Sequence, residues 1–253
     1  MKYGNLMRRL GVYAVSVIAA FVFIGLMYFL LGDGLKEILL DADASYWPFT
    51  IQNIMWIALF FGFGELFLRW SAATDEESQL ARKYLPTDGR KLDADTIQKI
   101  RDGIVNRKYG MDAFLPRMIQ RTLDQYTVSR KTDQAISVLN SSLELYMHEI
   151  DLRYSTLRYL TWLIPSLGFI GTVLGIMLAL NFAGQPGNAE SDAFLYEVTS
   201  RLGVAFTTTL LALIMSAILV LIQSVIQSKE ERALNEAGQY CLDNLILRLR
   251  DEE

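Results

Sequence analysis

The sequence predicts an all-α integral membrane protein with four transmembrane helices, a helical cytoplasmic domain and a long helix that is continuous with the third span. The 253-residue chain is 52% hydrophobic and 21% charged, and its charges lie between four long apolar runs. Each run has at least the roughly 20 residues that a helix needs to cross the hydrocarbon core of a bilayer. No proline or glycine interrupts residues 132–164, which favours one long helix leading into the third run.

The four apolar runs extend over residues 10–31, 49–68, 160–183 and 202–227. The basic residues before the first run are also typical of the start of a secretory signal. Its apolar stretch is too long for a signal, however, and no small-residue cleavage site closes it. We therefore interpret this run as an uncleaved first span.

Basic residues beside the runs predict the orientation, because lysine and arginine are enriched in short cytoplasmic loops. They precede the first and third runs and follow the second and fourth, whereas the connections 32–48 and 184–201 contain only Lys36 and Arg201. Both termini are therefore expected in the cytoplasm. The predicted organisation is a pair of membrane helices in residues 1–69, a cytoplasmic helical domain in 70–159, two channel-lining membrane helices in 160–227 and a cytoplasmic C-terminal helix in 228–253.

The composition argues against several classes of protein. A formal net charge of −4 gives no concentrated basic surface for nucleic acid. His148 is the only histidine in the sequence and has no neighbouring cysteine, so we predict no metal site. Neither a Walker motif nor a persuasive catalytic constellation occurs, so we predict no enzyme activity and no cofactor. The energy for any work would then come from the membrane gradient.

A seam of apolar residues follows the stretch before the third run. Its members alternate steps of three and four along the chain: Ile136, Leu139, Leu143, Tyr146, Ile150, Tyr154 and Leu157. Such spacing places them on one face of a helix. A continuous helix over residues 131–183 would be about 75–80 Å long. The seam fits packing within one subunit and contacts between subunits of a ring equally well.

Small and hydroxyl-bearing residues form a stripe on each of the last two spans. By helical spacing, Gly168, Thr172, Gly175 and Ala179 share one face of the third, and Ala205, Thr209, Ala212 and Ser216 share one face of the fourth. Small residues let membrane helices approach closely, and hydroxyls suit a narrow, partly wet ion passage. We predict that Thr172, Thr208, Thr209 and Ser216 line an ion pathway; purely structural hydroxyls are the alternative.

The last two apolar runs contain no titratable residue. A proton path across a membrane normally includes a carboxylate, so we expect the essential one on another polypeptide. Glu65 is the only acid inside any of the four runs, and Arg69 follows it by one helical turn. We interpret these two mainly as an interfacial ion pair.

The segment IPSLGFIGTVLGIM, residues 164–177, resembles the proline, glycine and Gly-Thr-Val pattern of the third conserved span in the MotA/TolQ/ExbB proton-channel family, with its TolQ/ExbB branch closest. The fourth span, VAFTTTLLALIMSAILVLI, is similar to the family's last span. Thr209 stands where that family has a conserved threonine, and Ala212 stands where a glycine is more usual. Four predicted spans match the flagellar branch rather than the three spans of TolQ and ExbB.

The resemblance implies a bacterial inner-membrane motor unit. Five copies of this type of chain would surround two copies of an ExbD/TolR/MotB-like partner, whose single membrane helix carries a proton-binding aspartate. Thr172 and Thr209 would form a hydroxyl ring facing that aspartate, and proton passage would drive rotation that acts on the periplasm. The remaining motif positions would serve helix packing or kinking: Pro165, Gly168, Gly171, Gly175, Ala179, Ala205 and Ala212.

Two other functions stay open at this point. A freestanding channel or transporter would need its own titratable residues, and only Glu65 offers one inside a run. A non-conducting membrane scaffold would use the small-residue stripes for packing alone. The residues do not decide which process is powered, whether the ion is a proton or sodium, or which partner is bound.

Overall fold

The structure, a computed structural model, describes residues 2–42, 44, 46–86, 91–106, 113–186 and 193–250, without the side chains of residues 2–5, 105 and 106. Within these ranges the secondary structure is helical and includes no strand. The predicted all-α fold class is therefore confirmed. The sequence cluster Pro86, Asp88 and Gly89 predicts a turn, of which Asp88 and Gly89 lie outside the described residues.

The described residues form eight α-helices and a short 3-10 helix. In chain order these are α1 (Lys2–Leu30), α2 (Asp33–Leu40), α3 (Ile51–Leu80), α4 (Ala94–Asn106), α5 (Phe114–Ser129), α6 (Thr132–Arg153), α7 (Ser155–Ala183), α8 (Phe194–Asn244) and the 3-10 helix Ile246–Arg248. Four helical stretches are long and apolar enough to cross a membrane: Leu6–Leu30, Ile51–Leu80, Thr132–Ala183 and Phe194–Arg248. They contain the third and fourth predicted spans entirely, and the first and second apart from residues 31, 49 and 50.

Three details of the helices differ from the sequence-based expectation. The connection 32–48 contains the short helix α2, and α8 begins at Phe194, eight residues before the apolar run. Hydropathy marks only the part of a helix that suits lipid, so it does not reveal helical turns formed by polar residues beside a span. The long helix before the third span is interrupted at one residue, Tyr154, which has φ −90° and ψ 0°.

The chain divides into two compact units. One consists of Met1–Leu68 and Thr156–Ser224, and the other of Arg69–Ser155 and Val225–Glu253. We call the first the membrane unit, because it holds nearly all of the apolar runs, and the second the polar unit. Helices α3 and α8 contribute residues to both.

In the membrane unit, α1 packs along α3. The rings of Tyr13 and Phe61 stack with their centroids 4.7 Å apart. A Cβ atom at Gly64 would lie 2.2 Å from the Ser16 hydroxyl oxygen, so this crossing requires a glycine. The turn after α2 is tied to α3 by Thr50, whose hydroxyl donates to the Leu40 carbonyl at 2.8 Å.

In the polar unit, a buried ion pair joins α6 to α8. Arg153 donates from Nη1 to Glu230 Oε1 at 2.8 Å and from Nη2 to Glu149 Oε1 at 2.6 Å. The Glu230 side chain is fully buried, and it also accepts a hydrogen bond from the Tyr154 hydroxyl at 3.1 Å. Removing one member of such a pair leaves an uncompensated buried charge, which typically costs about 3–5 kcal/mol.

Glu76 of α3 lies beside this cluster, outside the apolar runs. It accepts a hydrogen bond from the Phe114 amide at the start of α5, at 2.8 Å. Burial raises the pKa of Glu76 from 4.5 to about 7, against the opposing influence of the Phe114 amide and the guanidinium groups of Arg153 and Arg117. The nearby Glu230 adds to the increase.

The raised pKa of Glu76 makes stability depend on pH. Between pH 4.5 and about 7 the folded state retains a proton that the unfolded state has lost, so the free energy of unfolding falls as pH rises through this window. Glu76→Gln keeps a hydrogen-bond acceptor without the charge. We expect it to raise the free energy of unfolding at pH 8 by up to about 3 kcal/mol and to change it little at pH 4.5.

Thermal unfolding of the purified protein at pH values from 4.5 to 8 measures this effect. Glu77→Gln is the matched control for loss of one carboxylate, since Glu77 is exposed and pairs with Lys229 at 3.1 Å. An equal effect of Glu76→Gln at both ends of the pH range would contradict the assignment.

Candidate functional site

Helices α7 and α8 approach each other closely in the membrane unit because glycines of α7 face small residues of α8. The opposed pairs are Gly168 with Ala212, Gly171 with Thr208 and Gly175 with Ala205. A Cβ atom added to any of the three glycines would lie 2.4 or 2.5 Å from the nearest atom of its partner. The backbone of α7 therefore packs directly against side chains of α8, as in other membrane helix pairs whose interfaces consist of small residues.

Two hydroxyls meet at one edge of this contact. Thr172 Oγ1 and Thr209 Oγ1 are hydrogen-bonded to each other. Thr209 also donates to the Gly168 carbonyl at 2.8 Å, and Thr172 lies 3.0 Å from the Ala205 carbonyl. Both threonines are half-buried, so the pair stays accessible from the surface of this chain. The structure thus brings together Thr172 and Thr209, the two threonines that the sequence resemblance predicts to form a hydroxyl ring.

Thr208 points towards a different neighbour. Its hydroxyl donates to the Val204 carbonyl at 2.7 Å and accepts a hydrogen bond from Gln52 Nε2 at 3.0 Å. Gln52 and Thr208 are both buried. Gln52 was not among the predicted site residues, although a buried amide in an apolar membrane helix is costly and is itself a signal of function or packing.

Ser216 completes a hydrogen bond that Pro165 removes. Proline has no amide hydrogen, so the carbonyl four residues earlier loses its helical partner. That carbonyl belongs to Thr161, and Ser216 Oγ donates to it at 2.9 Å. Hydroxyls commonly satisfy such freed carbonyls in membrane helices. This contact gives Ser216 a structural role in joining α8 to α7.

A polar cavity of about 390 Å³ lies within the membrane unit between α2, α3, α7 and α8. Gln52 and Thr208 form part of its wall. The charged residues of the wall are Glu37, Asp41, Glu197 and Arg201. Glu37 accepts a hydrogen bond from Ser200 at 3.0 Å. The sequence pattern does not reveal this cavity, because its acids lie outside the apolar runs and come from separate connections.

Glu65 lies apart from these hydroxyls in the membrane unit. Its side chain is buried and accepts a hydrogen bond from the Tyr13 hydroxyl at 2.5 Å. Arg69 is also buried. The ion pair between Glu65 and Arg69 stays a prediction.

The family model of the MotA/TolQ/ExbB proton channel family matches residues 108–238. This match covers just over half of the chain and includes α5, α6, α7 and most of α8. The chain belongs to the MotA/TolQ/ExbB family. Comparison with curated proteins gave no match. Membership in this family implies a proton-channel-type function in energy transduction, and the four apolar helices make the chain a multi-pass membrane protein.

The close contact between α7 and α8 predicts a sharp difference between two glycine-to-alanine variants. Gly168→Ala places a Cβ atom 2.4 Å from the Ala212 Cβ and 3.2 Å from the Thr209 Cα, so the helices must separate. Overpacking of this kind typically costs about 1–3 kcal/mol. Gly203 lies in α8, and a Cβ atom at this position would meet nothing within 4 Å.

We therefore expect Gly168→Ala to lower the thermal unfolding temperature, whereas Gly203→Ala should leave it unchanged or raise it, because alanine favours helices over glycine by about 1 kcal/mol. Unfolding scans in the same detergent compare the two. Equal behaviour of both variants would count against a tight α7–α8 contact.

Proposed function

We propose that this chain is the ring-forming subunit of a proton-driven motor in the bacterial inner membrane, with both termini in the cytoplasm. Five copies would surround two copies of an ExbD/TolR/MotB-like partner, whose single membrane helix carries an aspartate. The observation that carries this proposal is the half-buried Thr172–Thr209 hydroxyl pair, placed on two membrane segments that have no titratable residue.

The hydroxyl pair has the chemistry needed to face a carboxyl group that gains and loses a proton. Each hydroxyl donates one hydrogen bond and accepts up to two. The two hydroxyls therefore have four acceptor positions between them, and their mutual bond uses one, so three positions are left over. A protonated carboxyl group can donate to one of these positions, and a reoriented hydroxyl can donate to a carboxylate.

The partner is needed because the pair cannot carry charge by itself. Residues 160–183 and 202–227 contain no Asp, Glu, Lys, Arg or His, and threonine does not titrate in the physiological range. A carboxylate that is neutralised by protonation avoids the cost of moving a charge through the membrane. Each proton that crosses yields about 2.3 kcal/mol per 100 mV of potential, which is the energy available for motion of the ring.

The polar cavity supports a route by which ions reach this region. In the proposed orientation its acids, Glu37, Asp41 and Glu197, lie towards the periplasm. Arg201 also lines the cavity and pairs with Glu197 at 3.4 Å, so the three acids leave a net negative charge, which raises the local concentration of cations. Gln52 and Thr208 line the same cavity, and Thr208 is adjacent in sequence to Thr209. We propose that the cavity holds water that communicates with the periplasm.

A non-conducting scaffold is the second candidate function. The bonds of Thr172 and Thr209 to backbone carbonyls favour it, because both hydroxyls already have structural partners. The tight glycine contacts of α7 serve a scaffold equally well. The two functions differ in what they require of the hydroxyls once the complex has assembled.

Replacing Thr172 and Thr209 together by valine separates the two functions. Valine keeps the shape and removes the hydroxyls, so the ring should still assemble with its partner. We expect proton flux through the complex in proteoliposomes to fall roughly 10- to 100-fold, since a hydrogen bond to a charged group contributes about 1.5–3 kcal/mol. Native mass spectrometry of the same preparation checks assembly.

Thr207→Val is the matched control. Thr207 is half-buried on α8, and its hydroxyl bonds to the Val204 carbonyl of its own helix at 3.0 Å. Flux should be retained in this variant. Unchanged flux or unchanged work in the doubly substituted protein would contradict the proposed role of the hydroxyls. A wild-type complex that conducts no protons would support the scaffold instead.

Purification of the complex from native membranes tests the partner. We expect five copies of this chain for every two copies of a protein with one membrane helix, and an aspartate within that helix. The ratio and the partner sequence are read by mass spectrometry. A partner without any acidic residue in its membrane helix would contradict the motor proposal.

A further inference from the structure

A long apolar groove lies between α1 and α3 in the membrane unit. It has a volume of about 480 Å³, and its wall includes Gly11 and Ala19 from α1, Phe60, Phe63 and Phe67 from α3, and Arg8 at one end. We propose that this groove binds one acyl chain of an anionic phospholipid, whose phosphate group contacts Arg8. The inference concerns helices outside the family match and does not depend on the proposed function.

The shape of the groove follows from small residues. A Cβ atom at Gly11 would meet nothing within 4 Å, so the glycine leaves open space. At Gly64 the helices touch, with the Ser16 hydroxyl against the glycine. That hydroxyl donates to the Val12 carbonyl at 2.9 Å, so it is satisfied within α1. The contact between Ser16 and Gly64 forms the floor of the groove, and the phenylalanine rings of α3 form one wall. The resulting surface is apolar and suits a hydrocarbon chain.

The length of the groove matches one leaflet of a bilayer. Eleven helical steps separate Arg8 from Ala19, which corresponds to about 16 Å at 1.5 Å per residue. Half of the hydrocarbon core is about 15 Å thick. An acyl chain lying along the groove therefore reaches from the middle of the bilayer to its surface, where the phosphate group of the lipid lies.

The width of the groove favours a lipid chain over a protein helix. Dividing 480 Å³ by a length of about 16 Å gives a cross-section of roughly 30 Å². A helix has a diameter of about 10 Å, so its backbone would remain outside the groove and only its side chains would enter. A polymethylene chain is much thinner and has no backbone polar groups to satisfy.

The charge at the groove end specifies the head group. Arg8 is exposed, and a guanidinium group matches a phosphate with two parallel hydrogen bonds. Basic residues beside membrane helices attract anionic lipids by about 1 kcal/mol each. We therefore expect phosphatidylglycerol to bind more tightly than phosphatidylcholine with the same acyl chains, by about fivefold.

Native mass spectrometry of the purified full-length protein, titrated with each of these two lipids, tests the proposal. Arg8→Gln should abolish the preference for phosphatidylglycerol, whereas Arg9→Gln, an equal change of charge at the next position, should retain it. Gly11→Leu fills the groove and should reduce binding of both lipids. Gly25→Leu is its control, because Gly25 also lies on α1 with nothing within 4 Å of its Cβ position.

Thermal unfolding with and without added lipid provides a second measurement and reports whether each variant folds. Phosphatidylglycerol should raise the unfolding temperature of the wild type and of Arg9→Gln more than that of Arg8→Gln. Equal affinities of the wild type for the two lipids, equal losses in the Arg8 and Arg9 variants, or equal binding by the Gly11 and Gly25 variants would overturn the proposal.

Discussion

The absence of side chains at three glycines of α7 is the constraint on which the rest of the membrane unit depends. Because Gly168, Gly171 and Gly175 have no Cβ atom, α8 lies directly against the backbone of α7. Lipid chains are as apolar as leucine, so packing of this kind is one of the main sources of attraction between membrane helices. The contact also determines which side chains lie at its edges and which lie within it.

Because of this geometry, neighbouring threonines have different surroundings. Thr208 lies within the contact and bonds to Gln52 of α3, whereas Thr209 lies at the edge and bonds to Thr172. The separation between α7 and α8 is small enough that each hydroxyl lies within hydrogen-bonding distance of a carbonyl of the opposite helix. A leucine-packed pair with a wider spacing would place the same hydroxyls beyond hydrogen-bonding distance. The glycines that allow close packing of α7 and α8 therefore also allow the hydroxyl pair to form.

The sequence predicted the helices better than it predicted their neighbours. Long apolar runs mark membrane spans because a fixed bilayer thickness demands a fixed length, and local spacing alone places Gly168 and Thr172 on one face. Long-range pairing has no such local signal. Gln52 and Thr208 are 156 residues apart in the chain, and no periodicity connects them. The raised pKa of Glu76 likewise comes from burial in a fold that brings α5 and α6 to the end of α3.

The proline of α7 has a mechanical consequence. At Thr161 the helix relies on a single hydroxyl of α8, Ser216, in place of its own backbone, so α7 is less stiff at this level than elsewhere. A neutral hydrogen bond contributes about 0.5–1.5 kcal/mol, which is less than the roughly 2.3 kcal/mol released by one charge crossing 100 mV. In a proton-driven ring of the proposed kind, the energy from a single ion would therefore exceed the strength of the one hydrogen bond that ties α8 to α7 at this level.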